Sequence, residues 1–351
     1  MKIISIVGAR PQFIKLGPLS HVLRGECEQK IIHTGQHFDS NMSDTFFEEL
    51  ELSIPDYHLT LGGGPHGAQT GIMLIEIEKI LLLEKPDIVV VFGDTNTTLA
   101  GAVAASKLGI KLIHIEAGLR SFNRSMPEEI NRIVADHTSD ILFAPTKLAM
   151  KNLKNENLAT KSFLTGDIMT DSLNFASSKA MQNSLLKDIL EQCDKYYLAT
   201  FHRPYNVDNP DNLKKIVEIL GDIRTNVIFP VHPRTKNVLV LNNIEVGQNV
   251  FLIEPQGYFD FISLIKGASK LLTDSGGIQK EAYILGVPCL TFRSETEWVE
   301  TIDVGWNKLV DYYAKDVVEM IEKFEVPKDR PLIYGSNVAI KMRDIIIEEF
   351  R

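Results

Sequence analysis

Scarcity is informative in this 351-residue chain. Cysteine occurs only at Cys27, Cys193 and Cys289, too far apart to form a ligand pair. Each lies in or near an apolar segment and reads as a buried thiol in a reducing compartment. A zinc site formed by His202, His232 and a carboxylate is an alternative reading, but no H-E-x-x-H and no paired-cysteine spacing supports it, and no metal is expected. Basic residues never gather into a run and the formal net charge is −9, which excludes a nucleic-acid groove. No apolar run approaches the roughly 20 residues a membrane span needs. The strand-like run from Met1 to Gly8 meets Arg10 and Pro11 at once, which is unlike a signal peptide. These absences leave a cytoplasmic protein that touches neither membrane nor nucleic acid.

What remains is a soluble globular composition, 44% hydrophobic and 24% charged, in a length that fits two domains of average size. Short apolar runs alternate with longer amphipathic ones. Ile3–Val7, Lys30–His33, Ile88–Phe92, Leu112–Ile115, Ile141–Ala144 and Phe163–Leu164 read as buried parallel strands. Helical stretches lie between them at Pro11–Leu23, Gln69–Leu83, Thr97–Leu108 and Glu128–Thr138. The pattern restarts with strands at Tyr197–Thr200, Val227–Val231, Phe251–Ile253, Lys270–Leu272 and Cys289–Phe292. The spacing predicts an α/β protein of two Rossmann-like domains facing a central cleft, residues 1–168 and 169–335. The polar stretch Ile168–Asp194 reads as a hinge. A final helix over 336–350 has no strand after it and is expected to pack back on the first domain. In such folds ligands bind at the carboxyl ends of the strands, so the polar residues there should carry the chemistry.

The most informative of these ends is Thr273-Asp274-Ser275-Gly276-Gly277-Ile278-Gln279-Lys280-Glu281-Ala282. Small residues at the turn let backbone N–H groups approach a ligand, and the helix N-terminus adds positive partial charge. This is a seat for phosphate; the bland alternative is an N-capped helix, Asp and Ser being good caps. Glu281 lies about one turn further in, where it can accept hydrogen bonds from ribose hydroxyls. In the first half, Gly8-Ala9-Arg10-Pro11-Gln12 follows the first strand, with Lys15 one turn on. Gly93-Asp94-Thr95-Asn96 follows the third, where capping alone would account for Asp94. Glu116 ends a buried strand, a position hard to explain structurally. Pro127-Glu128-Glu129 opens a helix whose dipole accounts for either acid. His202-Arg203 and His232-Pro233-Arg234 end strands of the second half and suggest phosphate contacts or acid/base work. Gly62, Gly64 and Gly67 satisfy G-x-G-x-x-G but sit two units into the fold with Pro65 and His66 inside, and read as a loop over the cleft.

Together these pieces resemble, along essentially the whole chain, the non-hydrolysing UDP-N-acetylglucosamine 2-epimerases. The resemblance rests on Gly8-Ala9-Arg10-Pro11-Gln12, Thr34-Gly35-Gln36-His37, Gly93-Asp94-Thr95, His114 through Arg120, Pro127 through Arg132, His202-Arg203 and the block from Asp274 to Glu281. It implies the two-domain GT-B fold, a homodimer, and an isomerase that needs no cofactor or metal. The implied reaction eliminates UDP to a 2-acetamidoglycal and adds it back with the proton on the other face. Two faces require at least two acid/base groups, and the motif positions imply Asp94, Glu116, Glu128 and His202. Arg10, Ser275, Gly276, Gly277 and His202 would stabilise the departing diphosphate. Glu281 would bind ribose, the backbone around Phe261 uracil, with Lys15 and Arg132 as further substrate contacts. Gln36 and His37 match the family's regulatory position, although Asp39 stands where a glutamine is expected.

One further departure concerns the sugar. Arg293-Ser294-Glu295-Thr296-Glu297-Trp298-Val299-Glu300 differs from the Thr-Thr-Glu-Arg-Pro-Glu run of the GlcNAc enzymes. It is similar to relatives acting on UDP-2,3-diacetamido-glucuronate or UDP-6-deoxy-hexosamines. Rival readings are a hydrolysing 2-epimerase, a GT-B glycosyltransferase and a non-catalytic UDP-sugar sensor. Arg10-Pro11-Gln12 favours the non-hydrolysing group over the first. The number of carboxylates at strand ends counts against the second, and the competent side chain at each candidate position against the third. Replacing Glu116 with Gln is expected to abolish turnover while leaving UDP binding nearly intact; full activity in that variant would remove Glu116 from the catalytic set.

Overall fold

The structure is a computed structural model and describes residues 1–36, 47, 50–61, 63–180 and 195–350, the side chains of 179 and 180 excepted. It divides into two compact units, Met1–Ser172 with Ile333–Arg351, and Leu173–Leu332.

The first unit is built on a seven-stranded sheet. Its elements run β1 (Lys2–Val7), α1 (Arg10–Leu23), β2 (Glu28–His33), β3 (Tyr57–His58), α2 (His66–Glu84), β4 (Ile88–Phe92), α3 (Asn96–Lys107), β5 (Lys111–Ile115), α4 (Pro127–Thr138), β6 (Ile141–Ala144), α5 (Lys147–Asn155) and β7 (Ser162–Leu164). The strand order is β3-β2-β1-β4-β5-β6-β7, and every pair is parallel. Parallel strands are covered on both faces, which is why Ile88-Val89-Val90-Val91-Phe92 is apolar throughout and wholly buried. The chain order reverses between β1 and β4, so their carboxyl ends open a crevice at the switch point.

Helix α3 covers that place, and its composition explains how. Ala100, Ala102, Ala104 and Ala105 are buried. A β-carbon on Gly101 would press on Ile6 and Val91 at 3.0 Å. The small face lets the helix lie close to β1 and β4, bringing Asn96, Thr97 and Thr98 down onto the strand ends. Along the other side, Met73, Ile77 and Leu81 of α2 pack with Ile4, Ile6, Val89 and Val91, at about 25 cal/mol per Å² of apolar surface removed from water.

Helix α6 (Met169–Ala180) carries the chain from the first unit into the second. The second unit continues with β8 (Tyr196–Thr200), α7 (Pro204–Val207), α8 (Pro210–Asp222), β9 (Asn226–Pro230), α9 (Pro233–Leu241), β10 (Val250–Ile253), α10 (Tyr258–Gly267), β11 (Lys270–Thr273), α11 (Gly276–Leu285), β12 (Cys289–Thr291), α12 (Val299–Asp303), β13 (Asn307–Leu309) and α13 (Val317–Lys323). Its six strands lie in the order β10-β9-β8-β11-β12-β13, again all parallel. The reversal here falls between β8 and β11. Proline within the first two positions starts α7, α8 and α9, and Gly286, at φ +78°, ends α11 in the left-handed conformation. The last helix, α14 (Val338–Phe350), returns to the first unit and packs on α1.

Glu84, at the end of α2, is the electrostatic tie of the β1–β2–β3 edge. Its carboxylate accepts from Lys30 at 2.8 Å, from Lys2 at 3.1 Å and from the Tyr57 hydroxyl. Those bonds, Lys30 first, lower its pKa from 4.5 to about 2. A depressed carboxylate contributes stability that is present above its unfolded pKa and lost as pH falls through the folded one. Glu84→Gln is therefore expected to melt below wild type at neutral pH, with the gap closing between about pH 4.5 and 2; a gap unchanged across that window would contradict the assignment.

Candidate active site

At the switch point of the first unit one side chain joins both strand ends. Gln12 is buried at the third position of α1. Its Oε1 accepts from the backbone of Gly8 at 2.8 Å and Ala9 at 3.1 Å, the return half of a capping box. Its Nε2 reaches across to Phe92 O at 2.8 Å and to the hydroxyls of Thr98 at 3.0 Å and Thr95 at 3.1 Å. Beside it, Gln36 Oε1 accepts from Thr97 N at 3.0 Å and Thr97 Oγ1 at 2.8 Å. Gly8 must be glycine because a β-carbon there would overlap the Thr34 and Thr97 hydroxyls.

Two carboxylates stand on this frame, each held by one cation. Glu116 follows β5 and forms an ion pair with Lys15, which is buried on α1. The Glu116 backbone sits at φ +74°, a region costing a non-glycine residue of order 1–3 kcal/mol and kept where surroundings over-determine it. Asp94 follows β4 and is paired with Arg132 of α4; Arg132 also reaches Glu129 at 3.3 Å. Burial raises the Asp94 pKa above its ordinary 3.8. The Arg132 cation pulls it down and the Glu116 charge pushes it up again, and burial prevails. The two acids of this unit thus stand in different environments, one with a raised pKa and one paired with a buried ammonium. Asp94 does not cap α3: Thr95 does, its hydroxyl accepting from Thr98 N.

The second unit presents a helix end. Asp274 is fully buried, and its carboxylate accepts from His202 N at 3.0 Å, Arg203 N at 3.1 Å and Asn206 Nδ2 at 2.9 Å. It shapes the loop after β8 and so does not cap α11. Ser275 occupies the cap position with no side-chain cap bond, leaving the start of α11 without the usual hydroxyl or carboxylate. Gln279 ties this turn to the loop after β12: Nε2 donates to Ser275 O at 3.1 Å, and Oε1 accepts from Thr296 at 2.6 Å and Asn307 at 3.0 Å. A β-carbon on Gly276 would overlap the Glu297 carboxylate, which Arg293 holds at 2.8 Å. A bare helix N-terminus with guanidinium and imidazole groups nearby is suited to an anion.

The geometry agrees with the comparisons. A family model described as UDP-N-acetylglucosamine 2-epimerase matches residues 22–339. The chain belongs to that family. It is an isomerase of two Rossmann-like units. A UDP-N-acetylglucosamine 2-epimerase of Methanocaldococcus jannaschii is 48% identical over 340 residues, 92% of each chain. A UDP-2,3-diacetamido-2,3-dideoxy-D-glucuronate 2-epimerase of Pseudomonas aeruginosa is 49% identical over 350 residues, 97% of each. The crystal structure of the M. jannaschii UDP-GlcNAc 2-epimerase in complex with UDP-GlcNAc and UDP superposes with a TM-score of 0.82 at 44% identity, covering 99% of this chain and 100% of that one.

Of the residues singled out in this 2-epimerase chain, Lys15, Asp94, Glu116 and Arg132 come together in the first unit. Glu128 is exposed at the start of α4, whereas its neighbour Glu129 is buried and bonds Ser121 and Phe122. Arg10 is exposed at the start of α1, and His202 is half exposed beside Asp274. Ser275, Gly276, Gly277 and Glu281 lie on or before the first turns of α11; Phe261 is on α10. His232 caps α9, accepting from Arg234 N at 3.2 Å, so its strand-end position has a structural cause. His37, Asp39, Gly62 and Cys193 lie outside the described residues. Cys289 is buried, its thiol pushed up to about 12. Among the described residues no group of three His, Cys, Asp or Glu side chains is placed to hold a metal ion, and no helix is long and apolar enough to cross a membrane. Gln12, Gln279 and the Arg293–Glu297 pair carry the site's framework; each lies in a stretch quoted from the sequence, but their bonding was not anticipated there.

Asp94→Asn is expected to lower turnover by about 10²–10⁴-fold with UDP binding unchanged. If Asp94 works as a base in the free enzyme, the acid limb of kcat/KM should lie above 3.8, because the ionised form is lost as pH falls through a raised pKa. Wild-type turnover in the variant would remove Asp94 from the reaction.

Proposed function

We propose that the chain interconverts UDP-GlcNAc and UDP-ManNAc without hydrolysis. The observation that carries this reading is the pair of acids on one switch-point frame, Asp94 with its raised pKa and Glu116 held by Lys15. One carboxylate removes the C2 proton. The C1–O bond breaks, its electron pair leaves on UDP, and a C1–C2 double bond forms. UDP then adds back while a proton is delivered to the opposite face. The sequence is redox-neutral and regenerates the proton it takes. Glu128 and His202 join as further acid/base groups. Arg10, Ser275, Gly276, Gly277 and His202 stabilise the diphosphate; Glu281 takes the ribose and the Phe261 backbone the uracil. Gln36 and His37 are the regulatory position.

A second reading has its own support. The P. aeruginosa relative, as similar to this chain as the archaeal one, is named for a 2,3-diacetamido glucuronate, and the Arg293–Glu300 loop carries the same departure from the GlcNAc pattern. On this reading the reaction is unchanged and the sugar is a modified UDP-2-acetamido sugar. Either substrate places the protein in the cytoplasm, supplying sugars for cell-surface polysaccharide. The homodimer is supported by α2, where Ile72, Ile75, Leu82 and Leu83 are all exposed, an apolar stripe that a second copy would cover.

Purified protein with UDP-GlcNAc in deuterated water, followed by proton NMR, tests the reading. UDP-ManNAc carrying deuterium at C2 and no free sugar is the expected result. Free ManNAc with UDP would assign the hydrolysing reaction instead. UDP binding with no turnover, and turnover of the diacetamido glucuronate, would assign the modified sugar.

A further inference from the structure

Beside the two carboxylate-bearing loops lies a charged cluster, buried except at its Glu156 end. His114 on β5 and Asp136 on α4 are both fully buried, with Nδ1 and Oδ1 2.7 Å apart. The other ring nitrogen, Nε2, donates to Gly93 O at 2.7 Å. The other carboxylate oxygen, Oδ2, accepts from Gly118 N at 3.0 Å and meets Arg120 Nη1 at 2.7 Å. Arg120 in turn makes a two-pronged bond to Glu156 at 2.7 Å through both Nε and Nη2.

The destinations of these bonds are specific. Gly93 is the residue before Asp94, and Gly118 is the second residue after Glu116. Gly93 at φ +63° and Gly118 at φ +81° adopt left-handed backbone freely as glycines, but Glu116, at φ +74°, is strained and needs support from its surroundings. A β-carbon on Gly93 would come 3.3 Å from the Glu116 carboxylate, so the two loops are already in contact. A buried charged cluster is a poor way to gain stability alone, since apolar packing of the same volume does as well or better. What it provides is fixed direction: the His114–Asp136 pair spans the two loops, His114 Nε2 on Gly93 O and Asp136 Oδ2 on Gly118 N, and cannot shift without breaking a bond at one end.

We propose that His114 and Asp136 are positioning residues that hold Asp94 and Glu116 at a fixed separation on the two faces of the reacting sugar. They touch no substrate and act through the carbonyl of Gly93 and the amide of Gly118. Their loss misplaces one carboxylate relative to the other, so the enzyme still eliminates UDP but returns the proton less faithfully. The glycal intermediate then escapes more often than it is completed.

The proposal rests on the elimination reading. Its test is the ratio of released 2-acetamidoglycal to epimerised product, measured by proton NMR on whichever UDP-sugar the wild-type enzyme turns over. A wrong sugar would thus show in the wild type, and a wrong role only in the variants. The ratio is taken per turnover and does not depend on the fraction of protein that is folded. His114→Phe, which fills the space without the bonds, is expected to raise the ratio about tenfold, with UDP affinity unchanged. Asp136→Asn keeps acceptors for Gly118 and Arg120 and can donate to His114, so it should fold in any case and raise the ratio less. Ile77→Ala opens a cavity in the core of the same unit away from these loops and serves as the control for destabilisation alone. A ratio in both His114→Phe and Asp136→Asn equal to that of wild type and Ile77→Ala, whatever the loss of rate, would overturn the proposal. If His114→Phe does not fold, the ratio in Asp136→Asn decides it in the same way.

Discussion

Gln12 is the interaction on which the first unit's site depends. β1 and β4 are parallel neighbours whose connections leave in opposite directions, so nothing in the ladder itself closes the gap between their ends. The amide of Gln12 does so, accepting from the turn after β1 and donating to Phe92 and the threonines of the turn after β4. Because the side chain is buried and its polar atoms are paired, replacing it would strand groups of both turns in a dry place. Three of the unit's candidate residues hang on or beside the two turns it joins: Arg10 and Lys15 on one side, Asp94 on the other.

Around that clasp, charge is kept in ordered pairs. Lys15 with Glu116, Arg132 with Asp94, and the buried His114–Asp136–Arg120 cluster each satisfy one partner with another. Such pairs contribute little net stability, since desolvation offsets attraction. Their effect is on direction and on protonation. Asp94 is the instructive case: burial raises its pKa against the pull of Arg132 and Lys15, and burial decides the sign of its shift. The second unit uses its buried acid differently. Asp274 is consumed by the loop after β8, and this is why α11 begins without a capping side chain. One buried carboxylate therefore shapes the loop carrying His202 and does not serve as the cap of α11.

Much of the architecture was legible in the sequence because buried parallel strands must be apolar on both faces. Ile88–Phe92 and Tyr197–Thr200 could hardly be anything else. The strands that escaped reading, Tyr57–His58 and Asn307–Leu309, have two and three residues; at that length no period can be seen, and each lies at an edge where one neighbour is enough to define it. The helices α5, α9 and α13 escaped for a related reason. They run only seven to nine residues, hardly more than two turns on which to show a stripe.

By itself the sequence determined the fold class, the two sheets, the family and the positions of the acids at strand ends, because these follow from local patterns and from the order of short motifs. Only the tertiary structure decided what each acid does. Asp94 looked like a cap, yet Thr95 takes that place; Asp274 looked like a cap, yet it serves a loop some seventy residues away in the chain. Lys15, implied by the resemblance as a substrate contact, is also the buried partner of Glu116. The pairing of His114 with Asp136, 22 residues apart, carried no signal along the chain. Pairing, burial and pKa depend on which side chains a fold brings within about 3 Å of one another, and no periodicity along the chain encodes that distance.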